Sequence, residues 1–541
     1  MKPMRTSFRH EVSRRSGDDS IFPEPNNRTP PLPNGMKLNS IRRQLLLTAG
    51  LIASQSAFAG TDIWFTPLTQ SAPVVPANSL GELASPWVTP EGIHQKNIVS
   101  LREVEDQILS PGQSIVRVPG QSTSASMFDM LAFDPTGNYV FIPHETPIGA
   151  GCTRISLYDN HAETIFAGDQ KGAVGDWSKD FGAFDPSRWT PNNTLFLAEE
   201  WSGLGRVVEI LNPLAPANQI QSRVLNSIAN VSHEGINFSE KFDDTIYFID
   251  EWNSGSIYKF VMTTVGDYTK GQTFVLSVDD FLSTGGNPGA NYNAGSNATA
   301  SRAGMATWVP LTDKNGIPLP GITDPFVDGA AGSPTLSGRK AADDATGTPF
   351  GRPEDMSVGR LSNGREVLYV AVTSEQKVIS IEILETRSGN TFTPTGKAVV
   401  RTLGDNSTPK NLGFAPTTGT ISSPDNIALD AQGNVYVIED APNGSSTGGD
   451  IWFFRDKNSD GVAESVDHFM SIRVNGSEAT GMIFNPANPL EFVVAVQHPT
   501  STDLAVVPNG LGDAVWMFNL SNIPNQGFVK ALGRGRTNTN Q

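Results

Sequence analysis

Acidic residues recur in this chain at one phase of a repeated pattern. His144-Glu145, Glu199-Glu200, Asp250-Glu251, Glu439-Asp440 and Gln497-His498 each follow a short apolar run rich in β-branched residues. A second set of polar clusters precedes such runs: Ser232-His233-Glu234, Gly351-Arg352-Pro353-Glu354-Asp355, Ser422-Ser423-Pro424-Asp425-Asn426 and Gly476-Ser477-Glu478. Any one of these acids alone fits a solvated turn. Carboxylates gathered in one place repel and raise one another's pKa unless cations sit among them. Carboxylate oxygens suit hard cations such as Ca²⁺ and Mg²⁺. If the fold brings the series together, a polynuclear metal site follows. His144, His233 and His498 share the phase. They could ligate a transition metal or shuttle protons, or simply hydrogen-bond neighbouring carboxylates and backbone.

The elements that must position these groups are hairpins. Six units each carry an apolar run, a turn of Asp, Asn, Pro or Gly type, and a second apolar run. They lie near 131–142, 184–197, 235–249, 356–370, 427–438 and 482–496. Turn chemistry and β-branched content make each a β-hairpin. Four-stranded sheets repeated radially form a β-propeller, so the expectation is an all-β, six-bladed β-propeller with long inserted loops. A β-sandwich of similar hairpins is the competing fold. In a propeller, equivalent strand ends form a ring, and the acids there face a central channel. One propeller domain is expected over residues 60–541, with a loop-rich insertion over about 264–350.

Residues 36–59 read as a removable export signal: basic Lys37, Arg42 and Arg43, an apolar core from Leu45 to Ile52, and a small-x-small end at Ala57-Phe58-Ala59. The Arg42-Arg43 pair suits twin-arginine export. Residues 1–35 are either a long basic preface or precede a true start at Met36. Residues 1–59 hold nine Lys+Arg and four Asp+Glu, so the rest of the chain carries 30 bases and 52 acids, a net of −22 against −17 overall. That balance excludes a nucleic-acid backbone as partner. No later segment approaches membrane-spanning length. The expected product is periplasmic or extracellular, monomeric, and free of the membrane. One cysteine, Cys152, permits no internal disulfide and no cysteine-rich zinc module. It reads as a small packing residue.

Asp456-Lys457-Asn458-Ser459-Asp460-Gly461 matches the opening of a calcium loop, with Asp456, Asn458 and Asp460 as oxygen donors. A hydrophilic hairpin turn explains the same residues. The chain has no phosphate-cradling Walker loop, no Gly-x-Ser-x-Gly elbow and no His-Glu-x-x-His.

Between about residues 127 and 500 the motifs together resemble the PhoX-type alkaline phosphatases. The most specific is Ala341-Ala342-Asp343 … Gly347-Thr348 … Arg352-Pro353-Glu354. Others are Ser423-Pro424-Asp425-Asn426 with Glu439-Asp440, Gly476 to Gly481 with Gln497-His498-Pro499, and His233-Glu234. The resemblance implies an exported, metal-dependent phosphoesterase acting on small phosphomonoesters at a calcium-containing centre. It implies Arg352 and Glu234 as catalytic residues, with Arg352 gripping the phosphoryl group. It implies Glu199, Glu251, Glu354, Asp425, Asn426, Glu439, Asp440 and Glu478 as metal-site residues. The family's Cys-Glu-Glu segment, whose cysteine bridges two irons, is matched by Ala198-Glu199-Glu200. Alanine offers no thiolate, which puts iron in doubt and favours calcium. The alternatives are a non-catalytic, calcium-stabilised propeller that binds a ligand or protein, and a propeller enzyme of another class, such as a lactonase or quinoprotein dehydrogenase.

Overall fold

The computed structural model describes residues 63–108, 128–327, 336–385, 396–440, 447–502, 504, 507 and 509–533. The expected export signal at 36–59, with the rest of residues 1–59, lies outside the described residues. The fold is all-β and propeller-like, built from antiparallel strands that follow one another in sequence.

All six expected hairpins form. The first sheet runs in order Ala132–Phe133, Tyr139–Pro143, Gly151–Ser156 and His161–Ala167. The second runs Phe184–Trp189, Leu195–Glu199, Val207–Ile210 and Ser222–Val224. A sheet formed by Pro424–Leu429, Val435–Glu439, Asp450–Arg455 and Ser465–Ile472 is edged by Trp87–Val88. The last consists of Glu478–Phe484, Glu491–Gln497, Ala514–Asn519 and the amino-terminal strand His94–Ser100. That strand ties the two ends of the domain into one sheet, with His94 opposite Asn519 and Ser100 opposite Ala514.

Of the two remaining sheets, one pairs Asn253–Gly255 with Phe350–Gly351 and the other has nine strands. One end is the meander Ile236–Phe238, Thr245–Ile249, Ile257–Met262 and Gly271–Val278. The other is the meander Pro353–Arg360, Glu366–Val372, Lys377–Ile383 and Lys397–Asp405. Gly304–Pro310 bridges them, pairing with Gly271–Val278 on one side and Lys397–Asp405 on the other. The stretch expected to be loop-rich, 264–350, thus contains two full strands. Their apolar residues, among them Phe274, Val275, Leu276 and Trp308, are wholly buried. In the sequence the Gly and Asn residues around them obscured this short signal.

Turn residues account for the hairpins locally. Asp134 accepts the backbone N–H groups of Thr136, Asn138 and Tyr139 at 3.1, 2.9 and 2.8 Å, so its side chain folds the turn over itself. Gly137 in the same turn has φ +67°, and a Cβ there would meet Asn485 Oδ1 at 2.0 Å. Asp430 does the same for Gln432 and Asn434 at 2.9 and 3.1 Å.

Apolar layers join neighbouring sheets. Phe141 and Cys152 of the first sheet pack with Phe184 and Leu195 of the second. Phe196 and Val207 of the second pack with Ile236, Phe248 and Tyr258. Tyr369 and Val378 pack with Leu429 and Trp452. Tyr436, Phe453 and Phe469 pack with Phe484, Phe492 and Phe518. Val493 and Val515 pack back onto Phe133, Val140 and Ile155 of the first sheet. Each large aromatic removes apolar surface from water at about 25 cal/mol per Å². These layers fix the spacing of the sheets, and with it the inner strand ends.

Candidate metal centre

The inner strands enter their sheets through bulges. Register shifts fall between Phe184 and Ser187, Pro353 and Met356, Pro424 and Ile427, and Thr480 and Ile483. A bulge inserts a residue and re-aims side chains, often beside an active site. Three of these bulges carry acids: Asp185, Glu354-Asp355 and Asp425. Glu234 stands just before Ile236–Phe238 at the corresponding place. Glu145, Glu200, Glu251 and Asp440 follow the second strands of their hairpins.

These two sets converge. Asp185, Glu200 and Glu234 bring one carboxylate oxygen each to within 4.8 Å of one another, and Glu234, Glu251 and Glu354 do likewise. Glu234 belongs to both groups, so five buried carboxylates form one continuous cluster. Two like charges about 4 Å apart repel by about 4 kcal/mol at an effective dielectric of 20. Protons or cations must therefore balance this cluster.

Burial first, then the neighbouring Asp129 and Glu145, push the Asp185 carboxyl well above the usual range. Burial and then Glu145 do the same to Glu200. Burial, Glu354 and Asp425 do it to Glu234, and burial and Glu251 to Glu354. Burial pushes Glu145 and Asp425 up to about 7. Asp185 Oδ1 and Glu354 Oε2 are buried without a hydrogen-bond partner, and Glu354 Oε1 has only the Arg352 Nε, 3.1 Å away. Orphaned oxygens of this kind, all hard donors, fit a hard cation.

Arg352 is the cation at the edge. Its Nε donates to Glu251 Oε1, lies 3.1 Å from Glu354 Oε1, and its Nη1 lies 3.7 Å from Asp440 Oδ2. The side chain is 36% exposed, so the guanidinium faces both the cluster and solvent. Burial opposes its charge, but Glu354 and Glu251 hold it firmly protonated. Trp201 Nε1 donates to Glu145 Oε1. His498 Nε2 lies 3.2 Å from Glu478 Oε2 beside the same face.

The cluster contains three of the residues expected there, Glu234, Glu251 and Glu354, and Asp425 adjoins it through Glu234. Asp440 borders it through Arg352, and Glu478 lies close enough to feel the charges of Asp440 and Asp425. Three expectations need correction. Glu199 is not in the cluster. Both its oxygens are taken by Arg206, at 2.8 Å each, and by the N–H groups of Gly182, Leu204 and Arg206 at 3.0 Å. Glu439 accepts Ser422 N, Asp450 N and Trp452 Nε1 at 2.9, 2.9 and 2.7 Å, which makes it a tie between strands. Asn426 gives its oxygen to Thr480 Oγ1 and Gly481 N, both at 2.6 Å.

The loop at Asp456 is a self-satisfied hairpin turn. Asp456 accepts the N–H of Asp460 and Gly461 at 3.1 and 2.7 Å, Asn458 that of Asp460 at 3.0 Å, and Asp460 that of Val462 at 3.0 Å. Ala198 lies in the apolar layer with Phe196, Val207 and Phe248. A cysteine at that position would face the core. Cys152 is buried in another apolar layer, and its thiol is pushed up by burial. His144 bonds Thr153 Oγ1 at 2.9 Å and His233 bonds the Ala229 carbonyl at 3.1 Å. Burial lowers them to about 4 and about 3, so both are neutral packing imidazoles.

Sequence reasoning passed over Asp129, Asp185 and, as a chosen ligand, Glu200. Asp185 looked like a turn residue because Pro186 follows it; it is a bulge residue in Phe184–Trp189. Asp129 accepts from Gln497 Nε2 at 2.9 Å and from Thr480, and packs against Glu145.

Inner strands deliver buried carboxylates to a shared centre of a propeller-like fold, an arrangement that could hold metal ions. The family model for alkaline phosphatase PhoX matches residues 161–500, and the chain belongs to that family of phosphatases. Pseudomonas fluorescens PhoX, in complex with vanadate, a transition state analogue, shares the fold: 15% identity, 84% of this chain and 98% of that chain, TM-score 0.53. A virginiamycin B lyase from Staphylococcus aureus matches more loosely (10% identity, 79% of this chain and 99% of that one, TM-score 0.35). So does a gluconolactonase from Xanthomonas campestris (9%, 85% and 99%, TM-score 0.36). None of the curated proteins matches the chain.

Proposed function

We propose that this chain is an exported phosphomonoesterase whose centre is the carboxylate cluster around Glu234, loaded with hard cations including calcium, and capped by Arg352. The observation that carries the reading is the pair of buried triads sharing Glu234, with orphaned oxygens on Asp185 and Glu354. Asp185, Glu200, Glu234, Glu251 and Glu354 would hold the ions, with Asp425 and Asp440 at the border. Bound there, such ions supply charge neutralisation and Lewis-acid polarisation of a phosphoryl oxygen.

The chain's own residues do the rest. Arg352 presents a planar guanidinium whose fork matches two phosphoryl oxygens. Its present partners Glu251, Glu354 and Asp440 hold it over the cluster until a substrate takes part of the guanidinium. Phosphoryl transfer depends mainly on positioning and electrostatic stabilisation, which a buried, preorganised site provides. The PhoX relative with vanadate supports this substrate class. Calcium is favoured over iron because the cluster's donors are carboxylates, and Cys152 lies in the core.

Counting the two meanders of the nine-stranded sheet separately supports a six-bladed propeller over residues 60–541. The leader at 36–59 supports export to the periplasm or beyond. No helix among the described residues is long and apolar enough to cross a membrane.

The test is phosphate release from p-nitrophenyl phosphate by the processed chain before and after chelation. The expected result is activity lost to chelator and restored by calcium. Absence of release under every metal condition tried, with calcium bound, would favour a non-catalytic calcium-binding propeller.

A further inference from the structure

Arg352 has a left-handed backbone, φ +53°, which is costly for a residue with a side chain. Such a conformation persists only where its surroundings over-determine it. Here its N–H donates to the Trp252 carbonyl at 3.2 Å, and its own carbonyl accepts Thr373 N at 3.0 Å. The preceding residue, Gly351, pairs with Asn253 and donates its N–H to Glu375 Oε1 at 3.0 Å. A Cβ on Gly351 would meet Tyr292 Cε2 at 2.7 Å and Glu375 Cγ at 2.9 Å, so nothing but glycine fits.

Glu375 is in turn clamped. Lys377 Nζ lies 2.6 Å and Arg302 Nη2 3.1 Å from its Oε2, and the Glu375 side chain is only 7% exposed. Burial would raise its carboxyl, but Lys377 and Arg302 hold it below the usual range. Arg302 comes from the inserted segment. It also donates to the carbonyls of Tyr292 and Asn297 at 3.1 and 2.8 Å. Buried Asn297 folds that segment by donating to the carbonyls of Asn287, Ala290 and Asn291 at 2.9, 3.0 and 3.0 Å. Tyr292 N donates to Ser254 Oγ at 2.8 Å, which locks the segment against the strand that pairs with Gly351.

None of Arg302, Glu375 or Tyr292 belongs to the carboxylate cluster. We propose that the insertion acts as a positioning device: Arg302, through Glu375 and Gly351, fixes the backbone of Arg352 so that its guanidinium sits over the cluster. The proposal rests on Arg352 being the phosphoryl-binding cation. Arg302 is a positioning residue, and its effect reaches the substrate only through Arg352.

The test measures inorganic phosphate binding by calorimetry on the metal-loaded processed chain, for the parent, Arg302→Gln, Arg302→Lys, Arg352→Gln and the Arg302→Gln/Arg352→Gln double variant. Arg302→Gln should weaken phosphate binding about tenfold with metal content unchanged, since small displacements of a positioned group are costly. Arg302→Lys should recover part of that loss. The double variant should bind no more weakly than Arg352→Gln alone, because the two residues act in series. Glu375→Gln keeps an oxygen for Gly351 but loses the charged clamp, and should weaken binding in the same direction. Unchanged phosphate affinity in Arg302→Gln, or a double variant that adds the full tenfold, overturns the positioning role. Unchanged affinity in Arg352→Gln overturns the phosphoryl-binding role on which it rests.

Discussion

Glu199 and Glu200 are adjacent in the chain and belong to different worlds. Glu199 closes Leu195–Glu199 and is buried in a bidentate pair with Arg206, while Glu200, one residue beyond the strand, reaches Asp185 and Glu234. Successive residues at a strand end face different environments. A one-residue difference therefore separates a structural carboxylate from one in the candidate metal cluster.

That distinction is open to mutation. Glu199→Gln should leave metal content unchanged and destabilise the fold by about 3 kcal/mol, because breaking a buried pair strands Arg206. Glu200→Gln should lower metal content while leaving stability of the metal-free protein unchanged or improved. Metal analysis paired with denaturant unfolding checks both.

The pH dependence of the metal-free protein follows from the same cluster. Glu145 and Asp425 titrate at about 7 in the folded chain, against 4.5 and 3.8 as ordinary values. Their folded pKa values are raised, so the native state binds more protons than the unfolded one between those limits. The stability contributed by these two groups should then fall as pH rises from about 4 to about 7. Thermal unfolding in chelator across that range checks the slope. Saturating calcium should flatten it, since a bound cation stabilises the charged carboxylates.

Arg352→Lys should weaken phosphate or vanadate inhibition by about tenfold or more, because a lysine cannot reproduce the planar fork. Competitive inhibition constants provide the measurement. Metal content should not change, because Arg352 contacts the cluster from its exposed edge.

Ala198→Cys should not introduce iron. The position is buried with Phe196, Val207 and Phe248, so an added sulfur overpacks the layer at a cost of about 1 kcal/mol. Iron content and unfolding midpoint of the variant test this together.

Much of the architecture was legible because turn chemistry and strand composition act locally. Asp134 and Asp430 fold their hairpins with their own side chains, and such turns read directly from the sequence. Gly304–Pro310 did not, since a single strand joining two meanders has no turn partner nearby to mark it. The phase of the acids was also legible, and Glu234, Glu251 and Glu354 fell where it placed them. Partners distant in sequence were not. Glu439 is taken by Trp452 and Asp450 across a strand pair, and Asn426 by Thr480 of the next sheet. Asp185 hid behind a proline that reads as a turn, where the chain in fact bulges.

A Glu234-centred cluster that holds hard cations should lose them when Glu234 is neutralised. Elemental analysis by mass spectrometry of the purified processed chain and of Glu234→Gln, prepared in parallel, tests it most directly. Bound calcium is expected in the parent, with a loss of roughly one ion or more per chain in the variant, as removal of a shared oxygen donor requires. Equal metal content in the two proteins, or a metal-free parent that still releases phosphate, would contradict it.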